Sequence, residues 1–379
     1  MADNKKQHYV PQFYLRNFSN DGKQIFIYHL ASLTYTLSPI ASTCQEKYFY
    51  DIDPEFEKML NQLETRQAPV IKKIIELQNL ETLSADELYD LMAFLVIQDT
   101  RTKDARILVD KHVELFVSQY IKPMMKADEE LKKKYTPGYI DSLKITMPNF
   151  YKFTFGVALS SIEALSDLLP VLIVNKTSKP FISSDSPVVK NNYYIVGKNG
   201  LTGVLSPGLQ IFCPLTDKIV ILFIHREAYD IHFTQKMRIE LTNENDVDKI
   251  NELQILHCLN ILLFTNDTDS GYLHRLFLNC SKRKTDKEYV AELVQRTKTS
   301  DGRINELVKE YTEGINYYIH FSFIAKSHEY SRWFRMSCKE TLKKLPIVIP
   351  TRDRELARYL DDNLKSLIEN AQKNAKKSK

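Results

Sequence analysis

The spacing of apolar positions changes its period three times along the chain. KQIFIYHL and SLTYTLS, two β-branched and aromatic runs joined by a short Ala-Ser link, predict strands, and KYFYDID after them suggests a small meander. At Asp53-Pro54 the period becomes helical: in PEFEKMLNQLETRQAPVIKKIIELQ, Asp53 can cap, Pro54 suits the first turn, and Pro69 is expected to kink or split the helix. Ser84 with Glu87 three residues on makes a capping box for a second helical block running to about Tyr120. KADEELKKKY and a long amphipathic segment over about 138–169 complete a mainly helical first half.

The pattern then turns short and β-rich. VLIVNK, PFISS, PVVKNNYYIV, LQIFCP, KIVILFI and NILLF are separated by turn signals such as Asn199-Gly200, with a helix in DVDKINELQILHCL. Ile219–Ile224 is apolar on both faces, which predicts a central strand. Beyond about residue 280 two charged helical stretches are expected. GINYYIHFSFI follows, with Ile315, Tyr317, Ile319, Phe321 and Phe323 on one face, and then a lysine-rich final helix. The fold class is therefore α+β: a helical block over 54–169 packed on an irregular mixed sheet from 170–265. The main domain spans 1–280 and a C-terminal extension spans 281–379. No internal repeat occurs.

Composition narrows the classes. With 43% apolar and 26% charged residues the chain falls in the ordinary globular range. The longest apolar run, IVILFI, is far short of the roughly 18 residues a membrane span needs, and MADNKKQ lacks the apolar core of a secretory signal. No membrane association and a cytoplasmic location are expected. Of the net charge of +4, four units belong to Lys373, Lys376, Lys377 and Lys379, so the body is neutral and offers nucleic acid only a local patch. Cys44, Cys213, Cys258, Cys280 and Cys338 are far apart with no CxxC pair and read as reduced thiols that mostly fill the core. Neither GxxxxGK[ST] nor GxGxxG is present, and no metal-ligand spacing supports a bound ion.

Three stretches carry candidate chemistry. In the helix from Ser84, the stripe Leu88, Leu91, Met92, Leu95 continues onto Asp99 and Thr102 with Gln98 at its edge, so polar groups occupy a face that began as core. Arg101 and Arg106 are close enough in sequence to neutralise Asp99. Alternatively, the helix emerges into solvent and Asp99 pairs with Lys103. In KPFISSDSPVV, Ser184 and Asp185 fall at a strand end, a common place for functional groups, although Asp and Ser before Pro also form simple turns. In QHYVPQFYLRNFS, His8 sits beside an aromatic plug of Tyr9, Phe13, Tyr14, Leu15 and Phe18, where its protonation could be tuned or its role could be wholly structural.

Taken in order, HYVPQFYLRNFS, LETRQAPVIKKI, FLVIQDTRT, PFISSDSPVV, CPLTDKIVILF and NELQILHCLNILLF resemble a bacterial and phage-associated family known as domain of unknown function 4238, over roughly residues 7–280. The matching positions are His8, Val10, Pro11, Tyr14, Leu15, Glu64, Arg101, Thr102, Ser184, Asp185, Pro187, Val188, Pro214 and Asn251. The resemblance carries no reaction, but some members accompany antiphage defence loci, which implies a toxic or nucleic-acid-directed activity. It also favours one shared site over three unrelated ones.

The leading expectation is a hydrolase or transferase acting on a phosphate-bearing substrate, nucleic acid or nucleotide. His8 would be acid or base, Arg101 would hold the anion, and Glu64 or Asp185 would orient His8 or bind a divalent ion. Tyr14, Gln98, Thr102 and Ser184 would line the substrate. Ser184 as a covalent nucleophile is a minor variant. The competing expectations are a sensor or binding module that recognises a ligand or phage component and meets a partner through its C-terminal third, or a purely structural protein. No particular cofactor is implied.

Overall fold

The computed structural model describes residues 6–50, 53–144, 150–194, 202–266, 269–284, 288–298, 304–313 and 318–327. The Asn199-Gly200 turn, the start of the GINYYIHFSFI run, Cys338 and the lysine-rich final helix lie outside them.

Strand β1 (Lys6–His8) leads into the helical turn α1 (Gln12–Leu15). Strands β2 (Gln24–His29) and β3 (Thr34–Pro39) form a hairpin, and β4 (Gln45–Lys47) returns to pair with β1. Helix α2 (Pro54–Leu77) starts where Asp53 accepts the Phe56 N–H at 3.0 Å. Pro69 does not split it. The stripe Phe56, Leu60, Leu63, Val70, Ile71 and Ile74 is buried on both sides of the proline, and that burial outweighs the roughly 3 kcal/mol an interior proline costs.

Helix α3 (Ala85–Thr100) carries the expected capping box, but the block ends at Arg101 because the Thr102 hydroxyl accepts the Ala105 N–H and caps a new helix, α4 (Lys103–Phe116). A π-helical turn, Val117–Ile121, joins it to α5 (Lys122–Ala127). Short helices α6 (Glu129–Lys134), α7 (Pro137–Ser142), α8 (Phe150–Ser160) and α9 (Ile162–Leu165) follow. The single amphipathic segment expected over 138–169 is thus several short helices and the start of a strand.

The centre is β5 (Leu168–Asn175), β6 (Ser183–Ser184), β7 (Val189–Asn191), β8 (Gln210–Pro214), β9 (Ile219–His225), β10 (Tyr229–Ile231), β11 (Arg238–Leu241), α10 (Glu244–His257), β12 (Ile261–Phe264) and α11 (Ser270–Cys280). Five strands form a mixed sheet in the order β11-β5-β9-β8-β7, with only the β11–β5 pair parallel. A second sheet, antiparallel, has the order β3-β2-β12-β6.

β9 is central, as its sequence predicts. Its Ile219, Ile221 and Phe223 enter one core with residues of α2, α3 and α8, while Val220, Leu222 and Ile224 enter another with residues of α10 and α11. Cys44, Cys213, Cys258 and Cys280 are free thiols buried in these cores.

The two charged helices expected after residue 280 are instead a hairpin, β13 (Glu288–Lys298) and β14 (Ile304–Glu313), with a bulge between Leu293 and Gln295. Charge spacing suggested a helix, yet Tyr289, Val290, Val294, Thr297, Ile304, Val308, Tyr311 and Thr312 are strand formers. The last described strand, β15 (Ile324–Lys326), pairs with β10. Before it, Ile319 and Phe321 are buried without belonging to a strand. Asn191 supplies the missing ladder: its Oδ1 accepts the Ile319 N–H at 3.2 Å and its Nδ2 donates to the Ile319 carbonyl at 2.8 Å. The buried Asp246 accepts the Ser322 N–H at 3.0 Å, and the Tyr193 hydroxyl donates to the Ile324 carbonyl at 3.0 Å. These bonds fasten residues 318–327 to the body.

Candidate functional site

The opening motif forms one wall of a cleft of about 370 Å³. β1 contributes Lys6, Gln7 and His8; α1 and the turn after it contribute Gln12, Phe13 and Arg16. The opposite wall is one face of α2, where Glu57, Leu60, Asn61, Glu64, Thr65 and Ala68 recur at helical spacing. Tyr50 and Arg101 close the far side. Pro69 has no N–H to give the Thr65 carbonyl, which leaves that acceptor without its usual helical partner beside the cleft.

His8 is fixed through its backbone. Its carbonyl accepts from Arg101 Nη2 at 2.7 Å and from the Tyr50 hydroxyl at 3.3 Å. Arg101, only 2% exposed, also donates from Nε to the Tyr50 oxygen at 3.0 Å and from Nη1 to Glu64 Oε1 at 2.9 Å. Three of its N–H groups are therefore committed to the protein, and Arg101 holds His8, Tyr50 and α2 in register. Gln7 braces the same corner, donating to Glu57 and accepting the Tyr50 N–H at 2.6 Å.

The imidazole of His8 has Nε2 3.4 Å from the Ile40 carbonyl. With Nε2 as the N–H, Nδ1 keeps a lone pair for a proton. Burial lowers the His8 pKa below its ordinary 6.5. The charges of Arg101 and Arg16 also lower it, while the Ile40 carbonyl and Glu64 oppose the shift. Neutral imidazole is thus the favoured form at neutral pH.

A group whose folded pKa is depressed binds fewer protons in the folded chain than in the unfolded one, so stability rises with pH between the two values. The His8 contribution is complete above about pH 6.5 and is lost as pH falls through the lower folded value. Urea titrations between neutral and mildly acidic pH should show the wild-type protein losing more stability than His8→Gln. Parallel curves would remove this role.

The remaining candidates from the sequence do not line the cleft. Asp185, 2% exposed, accepts the Leu259 N–H at Oδ1 (2.8 Å) and the Asn260 and Ile261 N–H groups at Oδ2 (2.8 and 3.3 Å). Burial raises its pKa, and the three N–H groups and Lys284 oppose the rise. Ser184 donates to Gln254 Oε1 at 2.8 Å, and Asn251 one turn earlier on α10 accepts the Ile182 N–H at 3.0 Å. The PFISSDSPVV segment is thereby clamped between α10 and β12, and Ser184 as a nucleophile has no access to the cleft.

Tyr14 is fully buried with its hydroxyl 2.5 Å from the Pro214 carbonyl and 2.7 Å from Ser183 Oγ. Gln98 donates to the Tyr9 carbonyl at 3.1 Å, and Thr102 is a helix cap. Asp99 pairs with Lys190 at 2.5 Å, whereas Lys103 pairs with Glu46.

The structure thus unites His8, Glu64 and Arg101 and separates them from Asp185 and Ser184. Lys6, Arg16, Tyr50, Glu57, Asn61 and Thr65 were missed in the sequence. The polar positions Glu57, Asn61, Glu64 and Thr65 on one face of α2 were the available signal, but a polar helix face is ordinarily solvated. Among the described residues no group of three or more His, Cys, Asp or Glu could hold a metal ion, and no helix is long and apolar enough to cross a membrane.

An α+β domain in which an N-terminal strand and turn complete a polar cleft against a long helix is the class that fold and site define. The chain belongs to the family described as protein of unknown function (DUF4238), whose model matches residues 6–268. No curated protein and no solved structure matches it.

Proposed function

We propose that the cleft binds a phosphate-bearing substrate, nucleic acid or nucleotide, and that the protein is a hydrolase or transferase working in the bacterial cytoplasm, with antiphage defence as its setting. One observation carries this reading: His8 and Glu64, from distant parts of the sequence, meet in a cleft whose β1–α1 wall also presents the exposed cations Lys6 and Arg16.

Lys6 and Arg16 would neutralise the phosphate oxygens. Neutral His8 would accept the proton of an attacking water or hydroxyl as the new P–O bond forms, and the leaving oxygen would take its proton from solvent. Glu64, held through one oxygen by Arg101, would orient the nucleophile with the other. Arg101 has moved from anion holder to positioning residue in this scheme, because three of its N–H groups are already engaged.

The test is turnover of labelled DNA, RNA and nucleotides by the purified full chain, with and without divalent ions. His8→Gln should lower the rate by about 10²-fold or more with an unchanged melting curve at neutral pH. Normal turnover by that variant would end the catalytic assignment. Saturable binding without turnover would favour the sensor reading, which the internal commitment of Arg101 already supports.

A further inference from the structure

Strand β3 is an edge: among the described residues it pairs with β2 on one side and with nothing on the other. Its orientation follows from the bonds that flank the sheet. The Ile40 N–H donates to the Lys23 carbonyl at 2.8 Å, and the Leu30 N–H donates to the Asn260 carbonyl at 3.0 Å. Hydrogen-bonded pairs recur at every second residue of an antiparallel ladder. Ile25/Ser38, Ile27/Thr36 and His29/Thr34 therefore carry the β2–β3 bonds, while Phe26 and Tyr28 bond to β12. The backbone N–H and C=O of Tyr35 and Leu37 consequently point away from the sheet.

These two residues are also the exposed apolar groups of the strand, Tyr35 at 46% and Leu37 at 48% exposure. The register Tyr28↔Tyr35 and Phe26↔Leu37 places both on one face, where the Tyr35 ring meets Phe26 and Phe264 at 6.4 and 6.2 Å. Thr34, Thr36 and Ser38 occupy the other face. An uncovered apolar edge of this kind is ordinarily blunted by a charge or an early proline, yet TYTLSP carries no charge and its proline comes last.

We infer that β3 is a self-pairing edge through which two copies of this chain join about a two-fold axis at Thr36. The strand is self-complementary about that point. Tyr35 of one copy opposes Leu37 of the other, which is an aromatic–aliphatic cross-strand pair, and Thr34 opposes Ser38. Thr36 opposes its own mate. The outward backbone groups of Tyr35 and Leu37 then form four hydrogen bonds, two from each symmetry-related pair. The neutral strand brings no like charges together, so charge does not resist the antiparallel meeting of two identical edges. The result is an isologous dimer with one continuous eight-stranded sheet. An unrelated extended peptide has no need of this symmetry, which is why a second copy is the occupant.

The experiment is sedimentation equilibrium on the full chain over a concentration series, where the wild-type protein should approach twice the 44.2 kDa chain mass. Thr36→Lys and Thr36→Glu each place like charges face to face across the axis and should each weaken self-association by about tenfold. Mixed in equal amounts, the two should recover the dimer, because opposite charges then meet. Leu37→Pro removes an outward donor without touching a β2–β3 bond and should abolish pairing. A wild-type protein that stays monomeric throughout would overturn the proposal. So would charge variants that alone self-associate as tightly as the wild type, or a mixture that gains nothing.

Discussion

Arg101→Lys is expected to destabilise the folded protein by about 2–3 kcal/mol, and Arg101→Met by about 3–5 kcal/mol. The guanidinium reaches the Tyr50 hydroxyl, Glu64 Oε1 and the His8 carbonyl from three differently directed N–H groups. An ammonium is a point charge on a flexible stem and cannot serve all three directions at once. Methionine removes the charge as well, leaving the Tyr50 oxygen and the His8 carbonyl with fewer donors inside a buried corner. Glu64 fares better, since its side chain is 24% exposed and can take water. Urea denaturation at pH 7 reads the effect, and a change below about 1 kcal/mol for Arg101→Met would show that the corner is held by other contacts. A variant that folds normally but fails only in turnover would return Arg101 to direct contact with substrate.

Asp185 should be comparably sensitive. Asp185→Ala leaves the N–H groups of Leu259, Asn260 and Ile261 without their acceptor, and an expected loss of about 3–5 kcal/mol follows from the cost of buried donors left unmade. Asp185→Asn keeps the shape but turns an NH₂ toward at least one of those donors, so it should cost about 2–4 kcal/mol rather than pass unnoticed. Both effects are on folding, with a lowered urea midpoint and an unchanged slope. Stable Asp185→Asn protein lacking only activity would contradict the clamp and restore Asp185 to the site.

The sequence was most informative where one physical signal dominated. Asp53, Pro54, Ser84 and Glu87 mark helix starts through local capping chemistry, and Ile219–Ile224 marks a central strand because no solvent-facing alternation is present. It was least informative where a distant partner decided the outcome. Thr102 caps a new helix inside a block that the pattern carries to about Tyr120, Pro69 survives inside one because of burial beyond its own segment, and the charged stretches after residue 280 become a ribbon because strand pairs with strand.

The candidate site divides in the same way. His8, Glu64 and Arg101 were identified together by family pattern, and they are neighbours. Asp185, Ser184, Tyr14 and Thr102 belong to the same pattern, and Gln98 was singled out by helical periodicity, but all five serve internal hydrogen bonds. A buried polar residue that closes a backbone gap and one that touches a ligand leave similar marks in a sequence. Only the direction of the bond separates them.

The pairing of β2 with β12, in which Phe26 meets Phe264, also sets the order of events during synthesis. The strand that follows the opening motif must wait for its inner neighbour until almost the whole family region has been made. At about 5–20 residues per second that interval is on the order of ten to fifty seconds. Throughout it, the aromatic segment Tyr9–Phe18 and the hairpin behind it leave the ribosome with no finished sheet to join. A nascent chain of this design is therefore exposed at its oldest end for longest. Its cleft is lined by residues between Lys6 and Arg101, so both walls are made long before β12 emerges, yet the opening motif that forms one of them must wait for Ser183 and Pro214 to meet the Tyr14 hydroxyl behind it.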